Sequence, residues 1–309
     1  MSTPLPHGRP RQQLHEWTVD VAGAQLAVFE QGNPDGPTVV LVHGWPDTHH
    51  LWDGVVPSLV DSFRVISYDT RGHGRSTCRG TVAEMRIEQL ADDFLAVVDS
   101  VRADQPVHVL AHDWGSVQVW DAVCRPGAHR SIASFTSISG PSLHHMGRWM
   151  QSRLTARTPK ALWQWATQVI SGMYTLFFMS GVLPRAFFRV FGTRYLWSLF
   201  LRIVERIDRR DIHLAETLTD DMVSGLRIYR ANIFRTVLFP HDRFTSVPTQ
   251  LLIPTRDPAV RPASFSNIDQ WTAEVDIRRV KSGHWLPFKD PELVASAATA
   301  FIDKHTGKD

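Results

Sequence analysis

The sequence predicts an α/β fold with a mostly parallel central sheet and an inserted group of helices. Short apolar runs rich in Val and Ile each end at a loop rich in Gly, Pro, Asp or His, and amphipathic helical stretches separate them. Between residues 142 and 240 this pattern stops and only helical stretches remain, before it resumes at Thr249. Alternating strands and helices indicate a parallel sheet, whose reactive loops gather at the carboxyl ends of the strands.

Six apolar runs follow one another along the chain, and each precedes a distinctive loop. They lack polar alternation, which is typical of strands buried on both faces of a parallel sheet. Between them, residues 85–101 have apolar side chains at 3.6-residue spacing, and residues 116–124 are also expected to be helical. The runs and their loops are Thr38–Val42 before HGWP (43–46), Arg64–Tyr68 before DTRGHGRS (69–76), 107–111 before HDWG (112–115), 134–138 before SGP (139–141), 250–253 before PTRD (254–257) and 276–280 before KSGH (281–284).

Length and composition limit the classes of protein that this chain can be. Its 309 residues, 43% of them apolar, suffice for one large core, and a net charge of +2 excludes a general nucleic-acid binder. Two cysteines, Cys78 and Cys124, exclude a disulfide framework and a cysteine zinc cluster and favour a reducing, cytoplasmic compartment. Residues 1–15 lack a secretory signal and are expected to form a flexible tail. The remaining chain is assigned to an α/β core (16–141 and 240–309) and a helical cap (142–239).

Residues 111–115 (AHDWG) have the pattern of a nucleophile elbow, a tight turn from a buried strand into a helix. Small residues two positions before and after the centre allow the strand and helix backbones to approach closely. The central residue is Asp113, and a carboxylate attacks carbon without first losing a proton to a base. The backbone N–H of Trp114 would then be an oxyanion-hole donor. The alternative interpretation of Asp113 is an ordinary helix N-cap.

An ester formed on Asp113 needs a histidine to activate water and an acid to orient that histidine. His284 follows the last predicted strand, and Asp257 follows the strand before it, which gives the chain order nucleophile, acid, base of an α/β-hydrolase. No Asp or Glu occurs between residues 122 and 204, so the loop after 134–138 cannot supply the acid. Taken singly, Asp257 and His284 could each be an ordinary polar loop residue.

The loop HGWP at residues 43–46 is expected to supply the second oxyanion donor. It follows the strand Thr38–Val42, so the backbone N–H of Trp45 would lie at the same edge of the sheet as Asp113. The alternative is an ordinary β-turn after a strand.

Together, the motifs HGWP, YDTRGHGRS, HDWG, TRDP and SGHW resemble the epoxide hydrolases of the α/β-hydrolase superfamily. The resemblance is greatest to the hydrolase portion of actinobacterial EphD-type proteins and extends over residues 17–305. It implies an α/β-hydrolase fold with an eight-stranded, mostly parallel sheet and a helical cap. It also implies a cofactor-independent hydrolase of lipid metabolism or detoxification, which opens a lipophilic epoxide to a vicinal diol through an aspartyl ester.

In that family two tyrosines of the cap hold the epoxide oxygen. Tyr174 and Tyr229 match the two positions, with Tyr195 as a reserve candidate; ordinary helix packing is the alternative for each. The sequence departs from the family at 179–182, where MSGV replaces the common Gln-x-Pro-Gly. Four aromatic residues are expected to contact the substrate, namely Trp45, Trp114, Phe178 and Trp285.

Two other functions remain open at this point. A haloalkane dehalogenase would use the same Asp113 nucleophile, although the two tyrosines, and the lack of an Asn in HGWP to hold halide, count against it. A non-catalytic binding protein on this fold is the second alternative, and the complete set of Asp113, Asp257 and His284 counts against that. Neither a metal nor a cofactor is expected, because the sequence has no glycine-rich phosphate loop and no ligand cluster.

The charge pattern of residues 122–204 predicts the character of the cap. Ten Arg and Lys residues occur there among Trp, Phe, Leu and Met, without any acid. This favours an apolar tunnel for a bulky epoxide and a basic exterior that contacts a membrane peripherally, with a solvated basic helix face as an equal alternative. Residues 161–184 are uncharged, but their polar interruptions favour a packed helix pair over a membrane span. The expected partners are a small lipophilic epoxide, a membrane surface and, as an alternative, a second copy of the chain; nucleic acid is not among them.

Overall fold

An eight-stranded sheet runs through the centre of the computed structural model, which describes residues 14–306. Its strand order is β1-β2-β4-β3-β5-β6-β7-β8. The pairs β1/β2 and β2/β4 are antiparallel, and all other neighbouring pairs are parallel. The strands are β1 His15–Val21, β2 Ala24–Gly32, β3 Thr38–Val42, β4 Arg64–Tyr68, β5 Val107–His112, β6 Ile132–Ile138, β7 Thr249–Pro254 and β8 Val275–Val280.

All six strands predicted from apolar runs are present, so the predicted fold class is confirmed. The first two strands, β1 and β2, were not predicted, because β1 alternates polar and apolar residues, as a half-exposed antiparallel edge strand does. β1 begins at His15, the last residue of the segment that we expected to be a flexible tail, and residues 1–13 of that segment lie outside the described residues.

The last strand differs from its prediction in burial. The run 276–280 was expected to be buried on both faces, but β8 lies at the edge of the sheet and most of its side chains are exposed. An edge strand pairs on one side only and tolerates charged residues such as Asp276, Arg278 and Arg279, which also hinder edge-to-edge aggregation.

Two layers of helices cover the sheet, and β3 illustrates how the sequence directs them. Val40 and Val42 belong to the buried cluster with side chains of α1 and α2 on one face. Val39 and Leu41 belong to the cluster with α10 on the other face, because successive strand residues point to opposite sides. The ten helices of residues 14–306 are α1 Ile87–Val101, α2 Trp114–Val123, α3 Leu143–Ala156, α4 Pro159–Gly172, α5 Tyr174–Met179, α6 Val182–Phe191, α7 Arg194–Ile203, α8 Leu218–Asn232, α9 Leu286–Lys289 and α10 Pro291–His305.

Helices α3 to α8, followed by a π-helical turn at Ile233–Val237, all lie between β6 and β7 in the chain. Buried side chains of α6 and α8, with partly buried ones of α3, α5 and α7, pack in one cluster with Trp45 and Trp114, which follow β3 and β5. The inserted helices therefore cover the carboxyl ends of the central strands, where the predicted reactive loops lie. The segment from α3 to the π-helical turn corresponds to the predicted cap and keeps that name.

No single helix within residues 14–306 is both long and apolar enough to cross a bilayer. One pair of segments, Pro159–Met179 and Val182–Phe191, passes the same test jointly on length and composition, but a bend of 92° separates the two.

Candidate active site

Asp113 occupies a strained turn between β5 and α2, with φ +49° and ψ −125°. L-residues rarely adopt this conformation, and it is maintained only where the surroundings determine it. Two glycines make room for the turn. A Cβ on Gly115 would lie 2.4 Å from the carbonyl oxygen of His43, and a Cβ on Gly140 would lie 2.2 Å from that of Asp113. This is the predicted nucleophile elbow, and it holds the Asp113 side chain beyond the end of the strand.

One oxygen of the Asp113 carboxylate lies in a pocket of backbone donors. The N–H of Trp45 donates to Oδ2 of Asp113 at 3.0 Å. Gly44 brings the two loops together, since a Cβ at this position would lie 2.5 Å from Oδ2 and 2.6 Å from the backbone nitrogen of Trp114. The structure thus brings together both residues predicted to form an oxyanion hole, next to the oxygen that they would stabilise.

His284 lies between two carboxylates. Its Nε2 is 3.5 Å from Oδ1 of Asp113, and its Nδ1 is 2.9 Å from Oδ2 of Asp257. Oδ1 of Asp257 accepts from the N–H groups of Ala259 and Val260 at 2.8 and 3.0 Å, which fixes the carboxylate. Because Oδ2 of Asp257 accepts a hydrogen bond from Nδ1 of His284, a neutral His284 carries its proton on Nδ1. Its basic Nε2 then faces Asp113.

The charges of this triad shift its pKa values in opposite directions. Burial raises the pKa of Asp257, but the charge and hydrogen bond of His284 and the two backbone N–H groups outweigh it, so the pKa lies below its ordinary value. Burial lowers the pKa of His284, but the carboxylates of Asp257 and Asp113 outweigh it, so the pKa lies well above its ordinary value. The two carboxylates therefore favour the imidazolium form of His284, whose Nε2 faces Asp113.

Tyr174 and Tyr229 meet opposite this triad. Their ring centroids are 6.2 Å apart, and the Tyr229 ring packs edge to face on the Trp114 ring with centroids 5.0 Å apart. Burial raises the pKa of both phenols, and the negative charge of Asp113 raises it further, so both stay protonated and able to donate. Tyr195, the reserve candidate, lies on the surface with 76% of its area exposed.

A cavity of about 270 Å³ lies beside Asp113 and the two tyrosines, and neither His284 nor Asp257 lines it. Asp113, Trp114, Tyr174 and Tyr229 all border it. The remaining lining is mostly apolar and comes from the cap and from the loops after β5, β6 and β7, including Val117, Leu143, Met146, Met150, Val169, Met173, Leu176, Ile233, Val237, Leu238 and Val260. A carboxylate and two hydroxyls that converge in an apolar cavity are typical of a small-molecule site.

Three of the four aromatic residues expected to contact substrate do not border this cavity. The rings of Trp45 and Phe178 pack behind Tyr229, with centroids 5.7 and 5.0 Å from its ring. Trp285 packs on His284 at 4.8 Å, and its indole N–H donates to Oδ2 of Asp47 at 3.0 Å. These three side chains pack against Tyr229 or His284, whereas Trp114 is the one that reaches the cavity.

Four polar residues support the site and were not identified from the sequence. Neutral His43, whose pKa is lowered to about 3 by burial, donates from Nδ1 to the Gly44 carbonyl and accepts from Thr70 N–H. His112 Nε2 lies 3.0 Å from the His284 carbonyl oxygen. The Asp47 carboxylate accepts from the indole N–H of Trp285. The Glu205 carboxylate lies at the backbone N–H groups of the His284 loop. His43 and His112 could have been identified from the sequence, since each is the first residue of a predicted reactive loop.

Within residues 14–306, no group of three or more His, Cys, Asp or Glu side chains is arranged to hold a metal ion.

Comparisons with known proteins agree with this fold. Residues 37–173 match the family model described as the α/β-hydrolase fold. The chain is 39% identical over 306 residues to a Mycobacterium tuberculosis protein named "Probable oxidoreductase EphD", a match that covers 96% of the chain and 51% of that protein. It is 36% identical over 138 residues to epoxide hydrolase A of the same organism, covering 44% of the chain and 40% of the relative. The chain thus spans about half the length of the EphD relative.

Solved structures share the fold. The crystal structure of the Bacillus megaterium epoxide hydrolase with an inhibitor superposes with a TM-score of 0.75 at 18% identity, covering 93% of this chain and all of that one. An epoxide hydrolase found in metagenomes from hot environments gives a TM-score of 0.72 at 21% identity and covers 94% and 99% of the two chains. At this level of identity the likeness establishes the fold alone.

Proposed function

Because this chain is an α/β-hydrolase-fold protein related to the epoxide hydrolases, we propose that it opens a lipophilic epoxide to a vicinal diol through an ester on Asp113. One observation carries the proposal. Asp113, Tyr174 and Tyr229 all line the same apolar cavity. An epoxide needs a nucleophile at carbon and an acid at oxygen on opposite sides, and this cavity offers both.

In the first step the two tyrosines hold the epoxide oxygen while Asp113 attacks a ring carbon. Oδ2 of Asp113 lies among the oxyanion donors, so Oδ1 is the oxygen free to attack. The C–O bond of the ring breaks as the ester bond forms, and the ring oxygen takes a proton from a tyrosine hydroxyl. The raised pKa of both phenols keeps that proton available at neutral pH.

In the second step His284 activates water against the ester. Nε2 of His284 takes a proton from water, and the hydroxide adds to the Asp113 carbonyl carbon. The N–H groups of Trp45 and Trp114 stabilise the oxyanion of the tetrahedral intermediate. The intermediate collapses, and the departing oxygen, which came from Asp113, takes the proton that His284 had gained, so the diol leaves. The new Asp113 carboxyl group, which holds an oxygen from water, returns its proton to His284 and becomes a carboxylate again.

Ester formation itself prepares His284 for this second role. In the resting enzyme two carboxylates raise the pKa of His284, and esterification of Asp113 removes one of them. The pKa of His284 therefore falls, and the imidazolium passes its proton to the phenolate that the first step left on the tyrosine, so that His284 becomes a neutral base. Ester hydrolysis is expected to be fast above this lower pKa and to slow as the pH falls through it.

A titration tests this change of charge. In Asp113→Asn the second carboxylate is absent, as in the ester, so the pKa of His284 measured by NMR should be lower than in the wild type. The control is the same substitution at a distant position. Asp303→Asn removes an exposed carboxylate of α10 and should leave the His284 titration unchanged. Equal His284 pKa values in the wild type and Asp113→Asn would refute the proposed coupling.

Removing the tyrosine hydroxyls tests the reaction class. Tyr174→Phe and Tyr229→Phe are each expected to lower the rate of diol formation from styrene oxide by about 10- to 100-fold, because one donor remains. The double variant should lose about 10³-fold or more, since neither hydroxyl can then protonate the ring oxygen. Diol formation is measured by chromatography, and halide release from a bromoalkane is measured in parallel.

Tyr195→Phe is the matched control, since this exposed cap tyrosine should be dispensable. The wild type should form diol and release no halide. Halide release without diol would instead identify a dehalogenase, and full activity in the Tyr174/Tyr229 double variant would remove the tyrosines from the mechanism.

A further inference from the structure

The outer face of α6 (Val182–Phe191) is apolar and faces solvent. Leu183, Phe187 and Val190 recur at helical spacing on this face, and Leu183 and Val190 are 67% and 63% exposed. The inner face of the same helix is also apolar, with Pro184 and Phe188 buried against the cap. A surface helix of a water-exposed domain normally presents polar residues outward, so this face is expected to have a further partner.

This apolar surface extends from α6 to the mouth of the catalytic cavity. The ring of Phe187 on α6 packs against Phe177 on α5 with centroids 5.9 Å apart, and against Phe191 at 5.0 Å. Next to Phe177, Leu176 is half exposed and also lines the cavity. Other exposed apolar residues line the cavity as well, namely Met173, Phe234 and Leu238. The surface formed by the exposed apolar side chains of α5, α6 and the π-helical turn is called the docking face below.

The docking face is flanked by positive charge. Arg185 and Arg189 lie at positions i and i+4 of α6, to one side of its apolar stripe. Arg230 reaches the same edge, since a Cβ on Gly181 would lie 3.6 Å from its guanidinium. None of these three arginines forms an ion pair with a residue of the described range 14–306. No Asp or Glu occurs between residues 122 and 204 to offset them.

We propose that the docking face binds an anionic lipid bilayer, with the apolar side chains of α5 and α6 in the acyl region and the arginines at the headgroups. Apolar residues that insert beside unpaired arginines are the features by which interfacial helices bind such membranes. Long arginine side chains can keep their charge at the headgroups while the helix lies deeper. A second copy of the chain would bury the apolar face but would bring the unpaired arginines of both copies together.

Docking in this orientation would open the catalytic cavity toward the acyl chains. The rim residues Met173, Leu176, Phe234 and Leu238 would then contact lipid, and a lipophilic epoxide could enter without crossing water. Entry of an epoxide from the bilayer rests on the proposed epoxide hydrolase function, whereas bilayer binding itself does not.

Vesicle sedimentation of the full chain tests the docking. Wild-type protein should sediment with vesicles of equal parts phosphatidylglycerol and phosphatidylcholine, and less with phosphatidylcholine alone or in high salt. The double variant Leu183→Glu/Phe187→Glu should lose at least about ten-fold in partitioning. Arg185→Gln and Arg189→Gln should each lose about five-fold, and only on the anionic vesicles. The matched control is Ile277→Glu on the exposed edge strand β8, which should bind as the wild type does.

Three outcomes would each overturn the docking proposal. The wild-type protein could fail to bind the anionic vesicles, or the Leu183→Glu/Phe187→Glu variant could bind them as well as the wild type does. The third outcome is that the wild type is a dimer, that the variant is a monomer, and that neither binds vesicles. The variant should hydrolyse water-soluble styrene oxide at the wild-type rate and a long-chain epoxide embedded in vesicles at least about ten-fold more slowly. An inactive wild-type protein that still binds vesicles would refute the proposed function and leave the docking intact.

Discussion

Asp113→Asn protein is expected to retain less than about 10⁻⁴ of the wild-type turnover of styrene oxide. The amide has nearly the shape of the carboxylate, so the strained turn and the contact with Trp45 remain, but the attacking oxygen loses its charge. No other carboxylate borders the cavity among residues 14–306, so none can replace Asp113 as nucleophile. The measurement is the rate of diol formation at saturating substrate, together with the thermal unfolding midpoint of the variant.

The control for this variant is Asp303→Asn, which makes the same chemical change on the exposed side of α10. It should have the wild-type rate. If Asp113→Asn protein is folded and keeps more than about one hundredth of the wild-type turnover, water must be opening the epoxide directly. The Asp113 carboxylate would then be an electrostatic or basic group, and the ester mechanism would be wrong.

His284→Gln is expected to stop the cycle halfway. Asp113 can still attack the epoxide, but no base remains to activate water, so turnover should fall by about 10³- to 10⁴-fold. The aspartyl ester should accumulate, and intact-protein mass spectrometry should find one added epoxide per chain. Peptide mapping should locate this mass on the peptide that contains Asp113.

His129→Gln is the matched control, since His129 is exposed and precedes the amino end of β6, whereas the triad lies at the carboxyl ends of the strands. It should turn over normally without an adduct. A His284→Gln protein that is inactive and never gains the added mass would contradict the two-step cycle, because the first step would then also need the histidine.

The central strands and the catalytic turn could be predicted because each depends on local sequence. A strand buried on both faces must be apolar throughout, and a tight turn against another loop must have small residues such as Gly115. The edge strand β1 was not predicted in this way, and β8 was predicted as a strand but with the wrong burial. Their burial depends on which strands lie beside them, and that is a property of the whole sheet.

The residues of the triad could be predicted because chain order and the position after a strand limit the choice. Asp257 and His284 follow neighbouring parallel strands, whose carboxyl ends meet at one edge. Glu205 and Asp47 could not be predicted, since their contacts to the His284 loop depend on how the cap folds over the sheet, for Glu205, and on how the loops after β3 and β8 meet, for Asp47. The same reason explains why Phe178 packs behind Tyr229 and does not border the cavity.

The most direct test of the account is a single turnover in water labelled with heavy oxygen, followed by mass analysis of the peptide that contains Asp113. Water attacks the carbonyl carbon of the ester, so the label should enter the Asp113 carboxylate, and the diol of that first turnover should be unlabelled. Label in the first diol, with none in Asp113, would mean that water attacks the epoxide directly and that no ester forms.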